Sequence, residues 1–421
     1  MGEPALFGPD FDRDPSPAYA WLRERPPHRL GFPTGTWAWL ITRYDDAVTA
    51  LNHPALVKSP FAGNEEWQCS GMGLPLDHRP SLASHMINAD PPEHTRLRRA
   101  CAGAFGPRRM QNLRERAQQV TDELIDAVEA RGHGDLVTDL AYPLPIAIIC
   151  DLLGVPERYR EDVHEWSLVI DSADDTDGSK VREATDVLER LVTEVVEAKR
   201  AVRGYDLISD LVAQEAVGTL SADEVTSTAF LILIGGHETT VGLIATGALA
   251  LLTHPGEAAK ARTDRAHRAA VIEETLRLHA PLQNATWRFP TEDVEIGGRL
   301  MRPGDPILVS VLAADRDPAV FEEPDAFRPG QRAAERRHIA FGAGPHLCIG
   351  AALARLQADV AFETLLRRLP GARLAVSEAD LVWWPSPITR GLFHLPVSGR
   401  RGPRCDVQGR CSGLGGDGLS C

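Results

Sequence analysis

The densest apolar run in the chain, "AFLILIGGHETTVGLIATGALALL" (229–252), is long enough to cross a membrane. It carries His237 and Glu238 near its middle, where ionisable groups are costly in lipid. It therefore reads as a buried helix of a soluble protein, opened by a Ser221-x-x-Glu224 capping box. From 108 to 254 the pattern is helical almost throughout, broken at "VPERYRED" (155–162) and at the polar loop "DSADDTDGSK" (171–180). A further amphipathic helix is predicted at "AALARLQADVAFETLLRR" (351–368), and "TWAWLITRYDDAVTALNHPAL" (36–56) predicts a short strand followed by a helix. Strand signals gather late. "EDVEIGGRLMRPGDPILVSV" (292–311) reads as a hairpin and a strand, and 381–397 as another β-rich pair. Residues 1–35 are Pro-rich and loop-like. With no internal repeat and no long linker, residues 1–398 read as one domain, mainly α with a small β-rich portion. Residues 399–421 turn to Gly, Ser and Arg with little to bury and read as a disordered tail.

Composition narrows the function classes. A net charge of −14 argues against a nucleic-acid binder, which needs a basic footprint. The start of the chain lacks the basic and apolar regions of a signal peptide. The seven cysteines are scattered without a paired framework, which suits a reducing cytoplasm. Cys101 and Cys150 stand among apolar neighbours and read as core fillers.

The chemistry gathers around "FGAGPHLCIG" (341–350). A core cysteine would sit in a regular apolar element, not among glycines. A zinc site would want more ligands than Cys348 and His346. A nucleophile would want a histidine base, which the sequence alone leaves open. A thiolate at the start of a helix, stabilised by unpaired N–H groups, accounts best for glycines that let a large flat group approach.

The spacing Phe341-x-x-Gly344-x-x-x-Cys348-x-Gly350 resembles the haem-binding signature of the cytochrome P-450 family. Further motifs follow in family order. Glu274-x-x-Arg277 resembles the family's structural ion pair, completed from "FEEPDAFRP" (321–329) with Phe321, Pro324 and Phe327. "GGHETT" (235–240) resembles the oxygen-binding helix. There Gly235 and Gly236 would open a groove above the haem, Glu238 and Thr239 would relay protons, and His237 is a packing residue. His94 and Arg98 in "DPPEHTRLRR" (90–99), Arg288 and His346 would be propionate partners.

The resemblance implies the cytochrome P-450 fold and haem b, with Cys348 as axial thiolate and Phe341 and Gly350 beside it. It implies a cytoplasmic, monomeric monooxygenase that binds neither nucleic acid nor membrane. Using O₂, it would hydroxylate or epoxidise an apolar secondary metabolite such as a polyketide or macrolide. The chain is too short for a fused flavin reductase and lacks a Cys-rich ferredoxin pattern, so a ferredoxin and ferredoxin reductase would supply electrons. Seven arginines against Glu115 in 96–116, Arg99 and Arg109 among them, would steer an acidic ferredoxin. Two alternatives stay open: peroxide-driven oxidation or oxidative coupling, and a haem-binding protein without turnover. The Glu238–Thr239 pair speaks against both. Substrate contacts are expected from 60–87, from the helices flanking 171–180, from 282–287 and from 388–393, with Trp67, Met86, Ala285 and Ile388 among them.

Overall fold

The computed structural model describes residues 4–32, 35–70, 79–171, 179–330 and 338–399. The tail from 400, most of the loop predicted at 171–180 and part of the expected substrate segment 60–87 lie outside the described residues.

The apolar run predicted as a buried helix spans Ala222–Thr253 and is the axis of the fold. Its start is fixed as the sequence implies: the Ser221 hydroxyl accepts from the Glu224 N–H, and the Glu224 carboxylate accepts from the Ser221 N–H. Of the window that could cross a membrane, 72% is buried inside the protein, so its apolarity is spent on the core. Helices Pro143–Leu153, Ser179–Ala201, Arg265–Leu278 and Ala351–Arg368 pack around it. The first of these, "PLPIAIICDLL", is apolar on nearly every face because it is covered on nearly every face. Pro143 begins it, and Gly154 ends it in the left-handed conformation (φ 77°).

The β portion lies to one side. Five strands run in the order His28–Gly31, Trp37–Ile41, Ile307–Ser310, Asn284–Pro290, Leu56–Val57. Trp37–Ile41 pairs parallel with Ile307–Ser310, Trp39 opposite Ile307, and the other pairings are antiparallel. The predicted hairpin is Val294–Ile296 with Arg299–Met301, turning at Gly297 and Gly298 with φ of 57° and 76°.

Two expectations need correction. Residues 1–35 are not simply loop: Ser16–Arg23 is a helix burying Ala18, Tyr19 and Leu22. Pro15 and Pro17 sit at its first turn, where a missing N–H costs nothing, so they mark a helix start. The β-rich pair at 381–397 reduces to a bridge between Trp383 and Leu392. Its last residues instead join a strand, Pro396–Ser398, paired with His133–Asp135 and Arg373–Leu374. The segment before it is held by side chains: Gln283 donates to the Ser386 carbonyl and Asn284 to the Pro387 carbonyl.

Candidate active site

The cysteine loop is set by backbone geometry. Gly344 has φ 71°, and a Cβ there would stand 2.8 Å from both the Leu51 carbonyl oxygen and the Asn52 side chain. The Cys348 N–H donates to the Phe341 carbonyl at 2.9 Å, closing the loop. Helix Ala351–Arg368 starts directly after it. Cys348 is an exposed residue, yet protein crowds its thiol. Burial pushes its thiol up, while the Gly350 and Ala351 N–H groups, Arg98 and Arg355 favour the thiolate. Cys101 and Cys150 are fully buried, and burial pushes both thiols up to about 12.

A partly exposed bracket ties this loop to the neighbouring helix. Arg355 lies with its guanidinium 4.5 Å from the centre of the Phe341 ring and grips Glu273 with bonds of 2.6 and 2.8 Å. His338 Nε2 meets the same carboxylate at 3.0 Å. Burial alone would raise Glu273, but these partners bring it down to about 2. Sequence reasoning missed Glu273, Arg355 and His338. The signal was the doubled acid in "EETLR" and an arginine two turns after Cys348.

Its neighbour Glu274 faces the other way. Glu274 and Arg277 form a buried bidentate pair at 2.9 Å. Arg277 also donates to the carbonyls of Asp315, Pro324 and Ala326, and the Arg328 N–H donates to Glu274. A buried pair contributes stability only when its remaining donors and acceptors are met in this way. Phe321 lies 5.5 Å from the Arg277 guanidinium. Phe327 instead packs on His254, ring centres 4.9 Å apart.

On the central helix the two glycines part company. A Cβ on Gly236 would stand 2.5 Å from Ile149, so this glycine admits helix Pro143–Leu153. A Cβ on Gly235 would meet nothing within 4 Å. Gly235 is thus exposed in the middle of a helix that is otherwise mostly buried. One turn on, the Thr239 hydroxyl donates to the Gly235 carbonyl at 3.2 Å. Glu238 is 3% exposed. His237, expected to pack only, is fully buried with Nε2 3.2 Å from Glu238 Oε1.

A cluster of cations lies near the cysteine loop, around His346. The His94 and His346 rings lie 4.2 Å apart, and His94 Nε2 and His346 Nδ1 are buried without hydrogen-bond partners among the described residues. Burial and the nearby Lys58, His94, Arg288 and Arg98 drive His346 down to about 2. Burial brings Arg288 down to about 10, with Asp90 opposing. Lys58, absent from the expected set, is 4% exposed; its ammonium donates to Thr286 Oγ1 at 2.6 Å and its N–H to Asp90. Three permanent cations and two orphaned ring nitrogens stand against the Asp90 carboxylate. Such a cluster suits a ligand bearing more than one carboxylate.

The arginines of 96–116 are largely committed elsewhere. Arg109, expected to steer a donor, is buried against Asp210 at 2.6 Å with its guanidinium 4.5 Å from the Tyr205 ring. Arg96, Arg114 and Arg116 pair with Glu224, Asp359 and Asp151. Arg98, Arg99 and Arg108 form no ion pair among the described residues, and Arg99 and Arg108 are exposed. Trp67 is likewise not open to a substrate: it is buried edge-on against Phe289, 4.7 Å between ring centres.

An exposed cysteine just before a helix start, an exposed glycine in a core helix and a group of buried and half-buried cations near the cysteine loop are consistent with the haem-thiolate class that the sequence resembles. The comparisons agree with that class. A sequence profile described as Cytochrome P450 matches residues 162–370. The chain is 41% identical over 401 residues to cytochrome P450 monooxygenase PikC of Streptomyces venezuelae, covering 94% of each chain. It is 39% identical over 399 residues to 6-deoxyerythronolide B hydroxylase of Saccharopolyspora erythraea, covering 94% of this chain and 98% of that one. The crystal structure of myxobacterial cytochrome P450 CYP267B1 in complex with myristic acid superposes with a TM-score of 0.88 at 39% identity, covering 94% of this chain and 99% of that one. The chain belongs to the cytochrome P450 family and is one of its monooxygenases. That family's cofactor is a haem-thiolate iron, and the exposed Cys348, the exposed Gly235, the cations near the loop and the orphaned ring nitrogens of His94 and His346 all fit it.

Proposed function

We propose that this enzyme is a haem b monooxygenase of the cytoplasm, active as a monomer. It hydroxylates or epoxidises an apolar secondary metabolite of polyketide or macrolide type with O₂ and electrons from a ferredoxin and its reductase. The observation that carries this reading is the exposed Cys348, its sulfur favoured as a thiolate by two helix-start amides, near a cluster of cations and two orphaned histidine nitrogens. Cys348 would hold the iron, and the haem when bound supplies the redox chemistry that activates oxygen. Arg98 and Arg288, with Lys58 added from the structure, would neutralise the propionates, and His94 and His346 would be their hydrogen-bonding partners. Phe341 and Gly350 shape the loop beside the sulfur. Gly235 leaves room on the opposite face, and Glu238 and Thr239 would hold and pass the protons that oxygen reduction requires. The likeness to an enzyme named for hydroxylating 6-deoxyerythronolide B supports the substrate class.

The test is a spectral titration of the purified haem-loaded protein with a panel of natural products. Turnover of each binder with a ferredoxin and reductase under ¹⁸O₂ follows. One labelled oxygen per product molecule is expected. Label absent from every product would overturn the monooxygenase assignment for this chain.

The donor is expected to dock near the exposed Arg99 and Arg108 on the cysteine side, the candidates left once the paired arginines are set aside. Arg99→Glu should slow the ferredoxin-supported rate roughly threefold at low salt, since steering acts on the association rate. The difference should vanish as the Debye length falls from about 10 Å at 0.1 M to about 3 Å at 1 M. Equal rates at low ionic strength would place the donor elsewhere.

A further inference from the structure

The cysteine loop runs between two side chains that reach for the same carboxylate. His338 precedes the loop, Arg355 follows it on helix Ala351–Arg368, and both bond Glu273 on helix Arg265–Leu278. Arg355 donates from Nε at 2.6 Å and from a terminal nitrogen at 2.8 Å, one bond to each carboxylate oxygen. His338 Nδ1 accepts from the Ala340 N–H at 3.2 Å, so its proton sits on Nε2 and the ring donates to Glu273 as a neutral imidazole. Among the described residues, Glu273 is therefore ion-paired with one permanent cation, Arg355.

Arg355 has a second contact, toward the sulfur. Its guanidinium lies 4.5 Å from the centre of the Phe341 ring, and the Phe341 carbonyl accepts the Cys348 N–H at 2.9 Å. Two contacts thus join the Arg355 charge to the backbone of Cys348. That charge favours the Cys348 thiolate, and the thiolate in turn favours the charged guanidinium. Glu273 opposes it from the other side. The loop has other supports: the Ile339 N–H donates to Asp315 at 2.8 Å and the Gly342 N–H to the Ile339 carbonyl at 2.7 Å. The Glu273 and Arg355 side chains are 44% and 40% exposed, so either charge can be removed without opening the core.

We propose that Glu273 and Arg355 are positioning residues whose opposed charges set the field at the Cys348 sulfur, and through it the reduction potential of the iron. The proposal rests on reading Cys348 as the iron's ligand. Reduction adds one electron and no proton, so the centre becomes more negative by one charge. A cation beside the sulfur favours the reduced form, and an anion favours the oxidised form. Losing the carboxylate leaves Arg355 unopposed and raises the potential. Losing the guanidinium leaves Glu273 unopposed and lowers it. A loosened loop cannot do both, since water reaching the sulfur shifts the potential in one direction.

The experiment is a redox titration, followed by absorbance, of the purified haem-loaded parent, Glu273→Gln, Arg355→Met, Arg355→Lys and the Glu273→Gln/Arg355→Met double variant, all without substrate. Water screens a half-exposed pair, so each shift is modest. At the parent's midpoint the ratio of reduced to oxidised protein should rise about threefold in Glu273→Gln and fall about threefold in Arg355→Met, roughly 30 mV each way at about 59 mV per tenfold. The double variant, which loses both charges, and Arg355→Lys, which keeps the cation, should stay near the parent. The reduced carbon monoxide spectrum of each protein is recorded alongside. Shifts of one sign in both single variants, or no shift, with a thiolate-type spectrum present, would overturn the charge balance alone. A parent lacking that spectrum removes the ligand reading, and the proposal falls with it. Should Arg355→Met fail to load haem, the isosteric Glu273→Gln decides: a potential that does not rise overturns the proposal.

Discussion

Cys348→Ser is expected to abolish the thiolate-type spectrum of the reduced carbon monoxide complex and to bring turnover below detection. Serine keeps the size of the side chain and the loop, so the change tests the sulfur and not the fold. An alcohol is a far weaker acid than a thiol, and the two helix-start amides that favour a thiolate cannot ionise it at neutral pH. Cys101 and Cys150 give the contrast. With thiols pushed up to about 12 by burial, both stay neutral at pH 7. Both are fully buried, remote in kind from an open ligand position. Cys101→Ala and Cys150→Ala should each cost roughly 1 kcal/mol of stability, measured by denaturation, and leave the carbon monoxide spectrum intact. A thiolate-type spectrum surviving in Cys348→Ser would remove the basis for the assigned chemistry.

What the sequence made legible was local. The loop at 341–350 could be read because its glycines and its thiol lie within ten residues, and the geometry they serve is set over the same span. Glu274 and Arg277 could be read because helical periodicity alone puts them on one face. Their partners could not, since the Asp315 and Pro324 carbonyls lie 38 and 47 residues away. Lys58 is the clearest loss. In sequence it is a lysine before "SPFAG", which reads as surface. Its burial follows from the pairing of Leu56 and Val57 with Pro290 and Phe289, which the chain does not announce. The same blindness misplaced Arg109. Charge counting made it a free cation, whereas Asp210, from another helix, had already claimed it. Gly235 and Gly236 looked like one feature because composition cannot say which neighbour each will meet. Only the approach of Ile149 divides them into a packing glycine and an open one.

That division sharpens what Thr239→Ala should do. The Thr239 hydroxyl donates to the Gly235 carbonyl at 3.2 Å, which leaves its oxygen free to accept. It lies one turn from the exposed glycine, on the stretch of helix that borders open space, whereas Thr240 is buried and bonded to the carbonyl of the packing glycine at 3.4 Å. Removing the Thr239 hydroxyl deletes no core contact and leaves the Cys348 loop and the cation cluster untouched, so haem content and substrate affinity should match the parent. What it removes is a hydroxyl beside Glu238 through which a proton can pass. Product per reducing equivalent is expected to drop about tenfold, with peroxide rising to account for the missing electrons, a loss below the roughly 10²–10⁴-fold that positioned proton donors contribute. Thr239→Ser, which restores the hydroxyl without the methyl group, should recover most of the coupling. Thr240→Ala should lower the thermal midpoint with coupling retained. Measuring product, peroxide and reductant consumed in one reaction decides the matter. If Thr239→Ala stays coupled, or if Thr240→Ala uncouples instead, the proton path runs along the other face of the helix.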